Sequence, residues 1–272
     1  MSQLQATGFV IHRRPYRETS MLVDFFTRQY GKISAVAKGA RGANKSDRKS
    51  LVQPLQFLSF ELRGRSSLKN LGLTEAVSKP LKLHGIALYS AFYLNELLMR
   101  AIPDTEPMSL LFEQYQRTLH SLQTLSQGIE SQSAQSSKSE SITSEVTIAM
   151  VEPILREFEL CLLQELGYLP DFAYTGDTNA SIEKTLNYQF LPEHGFVALL
   201  DEQNNLDEQK NLGEQKKSVE QKNALSGNDI IDIANKHFTP SSLRAAKFIC
   251  RQALLPIIGD KALKSRELFL SR

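Results

Sequence analysis

The sequence is poor in cysteine and in long apolar runs, and both shortages exclude whole classes of protein. Only two cysteines, Cys161 and Cys250, occur among its 272 residues. Two sulfurs cannot build a four-cysteine zinc site or a disulfide framework, so the chain suits a reducing compartment. Each cysteine lies among apolar residues in a helical pattern, which predicts buried thiols. No run approaches the roughly 18 apolar residues of a membrane span, and the polar start lacks the apolar segment of an export signal.

Common enzyme signatures are absent as well. The sequence contains no HExxH, GxSxG or GxGxxG motif, and its five histidines are scattered along the chain. An isolated histidine beside a strand or a helix end is far more often structural than catalytic. These absences favour a binding protein over an enzyme, and we expect no catalytic residue and no cofactor.

What the chain does have is an uneven distribution of charge, hidden by a formal net charge of only +2. Residues 1–85 carry 15 basic and 5 acidic side chains, and residues 236–272 carry 8 and 2. The middle of the chain, residues 86–235, carries 9 basic and 23 acidic side chains. Positive charge gathered at the two ends predicts a polyanionic partner.

The first 80 residues show the pattern of a small β-barrel. Runs of alternating apolar residues predict five strands, at about 8–13, 19–27, 32–38, 55–63 and 68–77. Gly31, between the second and third runs, predicts a tight turn. Five short strands in a segment of this length fit a closed barrel of the OB-fold type, although an SH3-like barrel has the same number of strands.

A loop rich in small and cationic residues follows the third predicted strand, over residues 38–49. A half-buried sheet edged by such a loop suits binding to a nucleic-acid backbone. We predict DNA-backbone contacts from the loop and from nearby strands, at Lys38, Arg41, Lys45, Arg48, Lys49, Arg13, Arg14, Arg63 and Arg65. Phe26 and Tyr16 are candidates for stacking on bases, with a core role equally open for each.

The same loop contains a rival motif, because residues 39–46 depart from the phosphate-binding pattern GxxxxGK[ST] at one position. Asn44 stands where a glycine lets the backbone wrap around the phosphates, and Pro54 leaves little room for the helix that should follow. No strand ends in an aspartate that would hold magnesium. Nucleotide hydrolysis through Lys45 and Ser46 is therefore the weaker alternative. An RNA-binding OB protein, in contrast, would share all of the charge pattern.

Beyond residue 80 the apolar residues recur with the period of helices. Helices are predicted over about 83–102, 106–125 and 151–166, and a hairpin over 186–200. A last helix begins with Thr239 as its N-cap and Pro240 at its first position. On that helix we predict a basic stripe that extends the DNA-binding surface, formed by Arg244, Lys247 and Arg251.

The expected fold class is therefore α+β, with a barrel over residues 1–80 and a helical domain with a small hairpin insertion over 81–272. Two low-complexity insertions interrupt the second part. The Ser- and Gln-rich stretch 126–145 has little to bury and is predicted to be disordered. The stretch 201–224 repeats an imperfect hexapeptide four times, and its period of six fits no continuous apolar seam, so it predicts a solvated loop expansion.

Short blocks spread along the chain resemble those of RecO, a family of bacterial recombination mediators. In the barrel segment they are Arg14-Pro15, Glu18-Thr19-Ser20, Phe25-Phe26-Thr27, Gly31 and Ala37-Lys38-Gly39-Ala40-Arg41. Later blocks are LREFELCLLQELGY at 155–168 and KALKSRELF at 261–269. This resemblance, rather than the strand count, favours the OB-fold over the SH3-like barrel.

The resemblance implies a non-enzymatic, DNA-binding protein of DNA repair and recombination in the bacterial cytoplasm, associated with the nucleoid. Proteins of this family bind single- and double-stranded DNA and anneal complementary strands. They also associate with RecR and help to load RecA onto DNA coated by SSB. These proteins, RecA only indirectly, are therefore the partners that the resemblance implies.

The resemblance also implies a residue that recognises the acidic, Phe-ending tail of SSB, which the family binds through its helical domain. By its position within LREFEL, Arg156 would grip the carboxylates of the tail. The alternative for Arg156 is an exposed helix cation paired with Glu152 or Glu159. Many relatives carry a four-cysteine zinc module after the LGY block, but residues 169–181 contain no cysteine, so we expect no metal.

Overall fold

The computed structural model describes residues 3–41, 47–65, 68–133, 140–199 and 223–270. All but the end of the predicted loop expansion at 201–224 therefore lies outside the described residues. Contacts between Cα atoms divide the chain into two compact units, residues 1–165 with 257–272, and residues 166–256. The domain boundary expected at residue 80 stays a prediction.

The first unit begins with a closed five-stranded barrel of the OB type, as predicted. Its strands are β1 (Gln3–Tyr16), β2 (Ser20–Thr27), β3 (Gly31–Ala37), β4 (Phe57–Arg63) and β5 (Lys69–Ala76). Around the barrel the order is β1-β2-β3-β5-β4, with β3 and β5 parallel and every other pair antiparallel. All five strand predictions are confirmed, although β1 begins five residues earlier than its apolar alternation indicates.

The barrel closes because one face of its strands is apolar. Val23 and Phe25 of β2 alternate with outward-facing residues and are fully buried in the core, as is Ala35 of β3. Phe60 of β4 stacks on Phe25 with ring centroids 4.1 Å apart. Burying an aliphatic or aromatic side chain of this size stabilises a fold by about 1.5–3 kcal/mol, so these few residues carry much of the barrel's stability.

Four helices complete the first unit before its C-terminal segment. They are α1 (Asp47–Leu51), α2 (Gly85–Ala101), α3 (Ser109–Ser133) and α4 (Glu140–Glu165). The predicted disorder at 126–145 is wrong for residues 126–133 and 140–145, which are helical. The buried hydroxyl of Ser126 accepts a hydrogen bond from the backbone N–H of His84 at 3.1 Å. A helix that is fixed in this way can continue through residues of moderate helix propensity, because extending an existing helix is easier than nucleating a new one.

The outer face of β2 is also buried at one end, which the alternation of residues along the strand did not indicate. Phe26 points away from the barrel core, yet it is fully buried against α3. Its ring centroid lies 5.5 Å from that of Phe112 and 5.9 Å from that of Tyr115. Phe9 of β1 extends this aromatic cluster, 5.2 Å from Tyr115. The proposed stacking of Phe26 on bases is wrong, because its ring holds the helices to the barrel instead.

The second unit contains the predicted hairpin and most of the last long helix. Its elements are β6 (Asn187–Leu191), β7 (Gly195–Leu199), β8 (Leu225–Ser226), α5 (Gly227–Ala234) and α6 (Pro240–Ile258). The hairpin turns at Gly195, whose φ is +77°, and β8 adds a third strand that the sequence pattern did not reveal. The start of α6 is confirmed, since the Thr239 hydroxyl accepts a hydrogen bond from the Ser242 N–H at 3.1 Å.

The C-terminal segment belongs to the first unit and is fastened to α2. It forms a 3-10 turn at Lys264–Arg266 and the short helix α7 (Glu267–Leu270). The Glu96 carboxylate accepts hydrogen bonds from the backbone N–H groups of Lys264 and Ser265 at 3.0 and 2.8 Å. Burial acts to raise the pKa of Glu96, but these hydrogen bonds, the Ser265 hydroxyl and the charge of Arg100 lower it overall. Arg100 also donates to the carbonyls of Lys261 and Ala262, so an ion pair on α2 holds the segment in place.

Candidate nucleic-acid interface

An open cleft of about 740 Å³ lies on the outer face of the barrel, where three segments meet. Those segments are the turn between β1 and β2, the end of β3 and the loop between β4 and β5. The walls of the cleft include Tyr16, Arg17, Ser20, Val36, Lys38 and Asn70. OB-folds bind oligonucleotides at these two loops and on the face of the strands between them. The cleft therefore has the position of an OB ligand site.

The turn between β1 and β2 is bonded to the segment that follows β3. The Arg41 N–H donates a hydrogen bond to the Thr19 carbonyl at 2.9 Å, and Arg41 Nη1 donates to the Arg17 carbonyl at 3.2 Å. Arg17 has a left-handed backbone with φ of +52°, and its guanidinium lies 5.3 Å from the centroid of the Tyr16 ring. Arg17, Lys38 and Arg41 are all exposed. The fold thus gathers three cations beside one aromatic ring.

Two of the predicted cations, Lys38 and Arg41, belong to this group, whereas Arg17 was missed by the sequence analysis. Arg17 lies in the chain between Tyr16 and Glu18, in a turn that joins two predicted strands. Because OB-folds bind ligands at that turn, a cation in it was the available signal.

Other predicted cations lie around the cleft. Arg14 is exposed on β1 and pairs in register with Leu22 of β2. Leu22 in turn pairs with Val36 of β3, which lies in the cleft wall. Arg63 pairs in register with Asn70, another residue of the wall, and binds Glu61 at 2.7 Å. The hydrogen bond from Arg63 holds the pKa of the Glu61 carboxyl below its ordinary value, against the effect of burial.

The remaining predicted cations are less closely tied to this site. Arg65 is exposed in the loop after β4, and Lys49 is exposed on α1. Arg13 is half-buried, and its Nη1 donates to the Lys49 carbonyl at 3.4 Å. Lys45 lies outside the described residues, and of Arg48 only the helical backbone is described.

The basic stripe of the last helix has the geometry that its spacing predicted. Arg244, Lys247 and Arg251 are all exposed on α6, while Ala246, Cys250 and Ala253 are buried on its other side. The stripe lies in the second unit and the cleft in the first. Its extension of the barrel's surface stays a prediction.

Comparison with known proteins connects this architecture to a family. The family described as "Recombination protein O N terminal" matches residues 1–79, the barrel segment. A DNA repair protein RecO of Alteromonas mediterranea is 38% identical over 265 residues, which cover 97% of this chain and 96% of that protein. A DNA repair protein RecO of Haemophilus influenzae is 39% identical over 269 residues, covering 98% and 96%. The chain belongs to the RecO family.

Arg156, to which the RecO resemblance gives the SSB-tail contact, is buried among the helices. It is 6% exposed and its partner Glu159 is 1% exposed. Arg156 Nη2 and the Tyr93 hydroxyl both donate to Glu159 Oε1, at 2.7 and 2.6 Å. Burial and the charge of Glu159 raise the pKa of Tyr93 well above its ordinary value, so Tyr93 stays a donor. The expected pairing with Glu159 is present, but it is buried rather than exposed, and the tail contact stays a prediction.

Three further expectations concern metals, membranes and cysteines in this member of the RecO family. Within the described ranges, no group of His, Cys, Asp and Glu side chains is arranged to hold a metal ion. None of the helices described is long and apolar enough to span a bilayer. Cys250 is buried as predicted, whereas Cys161 is only half-buried.

Proposed function

We propose that this RecO-family chain is a non-enzymatic DNA-binding mediator of recombination and repair. It binds single- and double-stranded DNA on the outer face of the barrel and anneals complementary strands. With RecR, it helps to load RecA onto SSB-coated DNA at the nucleoid, in the bacterial cytoplasm. The observation that supports the DNA-binding step most directly is the cluster of Arg17, Lys38 and Arg41 at the OB ligand position.

The chemistry of the cleft suits binding without sequence selection. Exposed cations neutralise phosphates and release the counterions condensed on the strand, which supplies affinity for any sequence. The half-buried Tyr16 ring offers a face on which any base can stack, and base–aromatic stacking contributes about 1–3 kcal/mol. Neutralising the charge of a strand also weakens its repulsion of a second strand. Annealing needs this effect, and it needs no reaction at a catalytic group.

The salt dependence of DNA binding tests the proposal. For single strands, log K falls against log salt concentration with a slope of about −0.7 for each phosphate contacted. Replacing Arg17, Lys38 and Arg41 by Gln removes two cations from the cleft wall and a third that is bonded to the adjoining turn, and it should flatten the slope by about 2. Glutamine is preferred because Arg41 also bonds the β1–β2 turn, and an amide can still donate there.

A second triple variant provides the matched control. Lys79, Lys82 and Lys184 are exposed and lie outside the cleft walls, so changing them to Gln alters the net charge equally. This control should keep most of the wild-type slope. Equal slopes for the two triple variants would contradict the location of the site, and absence of DNA binding in the wild-type chain would contradict the function.

Two rival functions give different results in simple assays. Competition between DNA and RNA strands of the same sequence separates a recombination mediator, which should prefer or equally accept DNA, from an RNA-binding OB protein. ATP or GTP hydrolysis that is lost in Lys45→Ala would contradict the non-enzymatic role.

The SSB contact is supported by family membership and has its own test. We propose that the helical part binds the acidic tail, with Arg156 as the contact to its carboxylates. Arg156 Nη2 is bonded to Glu159, so a tail carboxylate would either bind other N–H groups of the guanidinium or take the place of Glu159. Titration of a labelled peptide ending in Asp-Asp-Ile-Pro-Phe against Arg156→Lys should show weaker binding, because lysine lacks the planar fork that holds a carboxylate. Equal affinity would remove Arg156 from the site.

A further inference from the structure

A histidine held by a buried carboxylate lies on the same outer face of the barrel as the cleft. His12 Nδ1 is 3.1 Å from Asp24 Oδ2, and Asp24 Oδ1 accepts a hydrogen bond from the Ser34 hydroxyl at 2.5 Å. Asp24 is only 4% exposed, whereas 47% of the His12 side chain is exposed. Because Nδ1 faces the carboxylate, Nε2 lies on the opposite, exposed side of the ring.

Strand register places this histidine next to the cleft. His12, Asp24 and Ser34 are register partners across β1, β2 and β3. Two residues further along the same face lies the row of Arg14, which ends in the cleft wall at Val36. Two residues of a strand span about 6.6 Å. A DNA strand that leaves the cleft past Arg14 therefore reaches the imidazole next.

We propose that His12 is a proton-linked contact to the DNA backbone, donating a hydrogen bond from Nε2 to a phosphate when the ring is charged. Asp24 is the positioning residue that fixes the ring. The inference rests on the proposed DNA-binding function. Histidine is the side chain whose charge ordinarily changes between about pH 5 and 8, so DNA affinity gains a dependence on pH in that range.

The group that faces Nδ1 of the ring is an ionised carboxylate. Burial acts to raise the pKa of Asp24, but the hydrogen bonds from His12 and Ser34, with the charges of His12 and Arg14, lower it overall. Asp24 is therefore ionised throughout the range in which histidine titrates. Its carboxylate faces Nδ1 at 3.1 Å and so fixes the orientation of the ring.

Helix α2, which packs against β1, carries charged groups that are already paired. Its contact with β1 is made by Asn95 Nδ2, which donates to the Ile11 carbonyl at 2.9 Å. The charged residues that follow on α2, Glu96 and Arg100, bind each other at 2.7 Å, and Glu96 also holds the C-terminal segment. Asp24 and Arg14 thus remain the charges that act on His12 most directly.

The first test compares DNA affinity at pH 6 and pH 8 in the wild type and in His12→Gln. The probe is an oligothymidylate of about 20 nucleotides, longer than the roughly 4–16 that one OB-fold covers. When the pH falls from 8 to 6, wild-type affinity should rise by about 1.4-fold to fivefold more than that of His12→Gln, the range for one exposed charge contact. The difference in affinity between the two proteins should be smallest at pH 8.

A second imidazole–carboxylate pair provides the control. His237 Nδ1 lies 3.4 Å from Asp232 Oδ1 in the second unit, and its side chain is 72% exposed. His237→Gln should keep the full wild-type response to pH. If His12→Gln also keeps it, or if both variants lose it equally, the role of His12 is wrong. If the wild type binds no oligothymidylate at either pH, the proposed function fails instead.

A spectroscopic measurement separates contact from a structural role. In the titration of the His12 ring proton by NMR, bound oligothymidylate should raise the midpoint by about 0.5 pH units or more, because proton and DNA binding are reciprocally linked. Asp24→Asn should reduce that shift while leaving affinity at pH 8 unchanged. An unshifted midpoint in the wild type would overturn the proposal even if the Asp24 variant failed to fold.

Discussion

Replacement of Arg156 by Ala should destabilise the first unit far more than loss of an ordinary surface arginine. The guanidinium is 6% exposed and neutralises Glu159, which is 1% exposed and also accepts from Tyr93. Alanine would leave the Glu159 charge buried, with one neutral donor beside it. An isolated charge in such a place is much less favourable than the same charge in water.

The size of the effect follows from the buried Glu159 charge that remains unpaired. Removing one partner of a buried ion pair destabilises a protein by about 3–5 kcal/mol. For a unit of this size, at roughly 2–4 °C for each kcal/mol, this corresponds to a fall in Tm of about 6–20 °C. Replacing all three residues by apolar ones, as Arg156→Met, Glu159→Met and Tyr93→Phe together, removes the stranded charge and should restore most of that loss.

Thermal unfolding followed by circular dichroism measures these changes, and an exposed ion pair in the same unit provides the control. Arg28 bonds Glu113 with half of each side chain exposed, so Arg28→Ala should lower stability by about 1 kcal/mol at most. The reasoning is refuted if Arg156→Ala unfolds within 3 °C of Arg28→Ala. It is also refuted if the apolar triple variant is less stable than the single variant.

Three further changes test other parts of the fold by thermal unfolding. Gly31→Ala should lower the free energy of unfolding by about 2 kcal/mol or more, because φ is +63° and the new Cβ would lie 1.9 Å from the Glu106 carbonyl oxygen. An unchanged Tm would contradict the close approach. Tyr115→Phe should lower the free energy of unfolding by about 1–3 kcal/mol, since the buried side-chain oxygen Oδ1 of Asn95 loses its donor. Asp24 has a lowered pKa, so its stabilisation is present above about pH 4 and is lost as pH falls through the folded-state value. The deficit of Asp24→Asn should therefore shrink from pH 7 to pH 3, and a constant deficit would contradict this.

The barrel was predictable because local chemistry and global fold agree there. Each strand alternates apolar and polar residues with a period of two, and turn residues separate the strands. Closure into a particular strand order does not follow from the alternation, since an OB-fold and an SH3-like barrel share it. The resemblance to RecO supplied that choice, and the parallel pairing of β3 with β5 agrees with it.

Burial on the outer faces could not be predicted from alternation, because it depends on packing between segments far apart in the chain. Phe26 and Arg156 both seemed available for ligands in the sequence. In the structure Phe26 packs against α3, whose contacting residue Phe112 is more than 80 positions away, and Arg156 is enclosed by helices. Residue type thus indicated a candidate interface region but did not decide which side chains remain exposed.

The cleft shows the same division between local and non-local information. Charge counting indicated the barrel end of the chain, and its predicted DNA contacts Lys38 and Arg41 are exposed in the structure. It gave no weight to Arg17, because one cation in a short turn is unremarkable in a linear sequence. The hydrogen bonds from Arg41 to the carbonyls of Arg17 and Thr19 bring the two segments together, and they exist only after the barrel has closed.

The outer face of β2 explains how one barrel can hold the helices and still leave a surface for DNA. Its outward residues change along the strand from Phe26, through Asp24 and Leu22, to Ser20. α3 covers the Phe26 end, where aromatic packing is strong, and the Ser20 end opens into the cleft. Asp24 lies between them under the exposed His12, so the proposed interface runs from the cleft to His12 and ends where α3 begins to cover the sheet. If DNA binds along this proposed interface, helix packing rather than the number of cations sets the length of DNA strand that the barrel can contact.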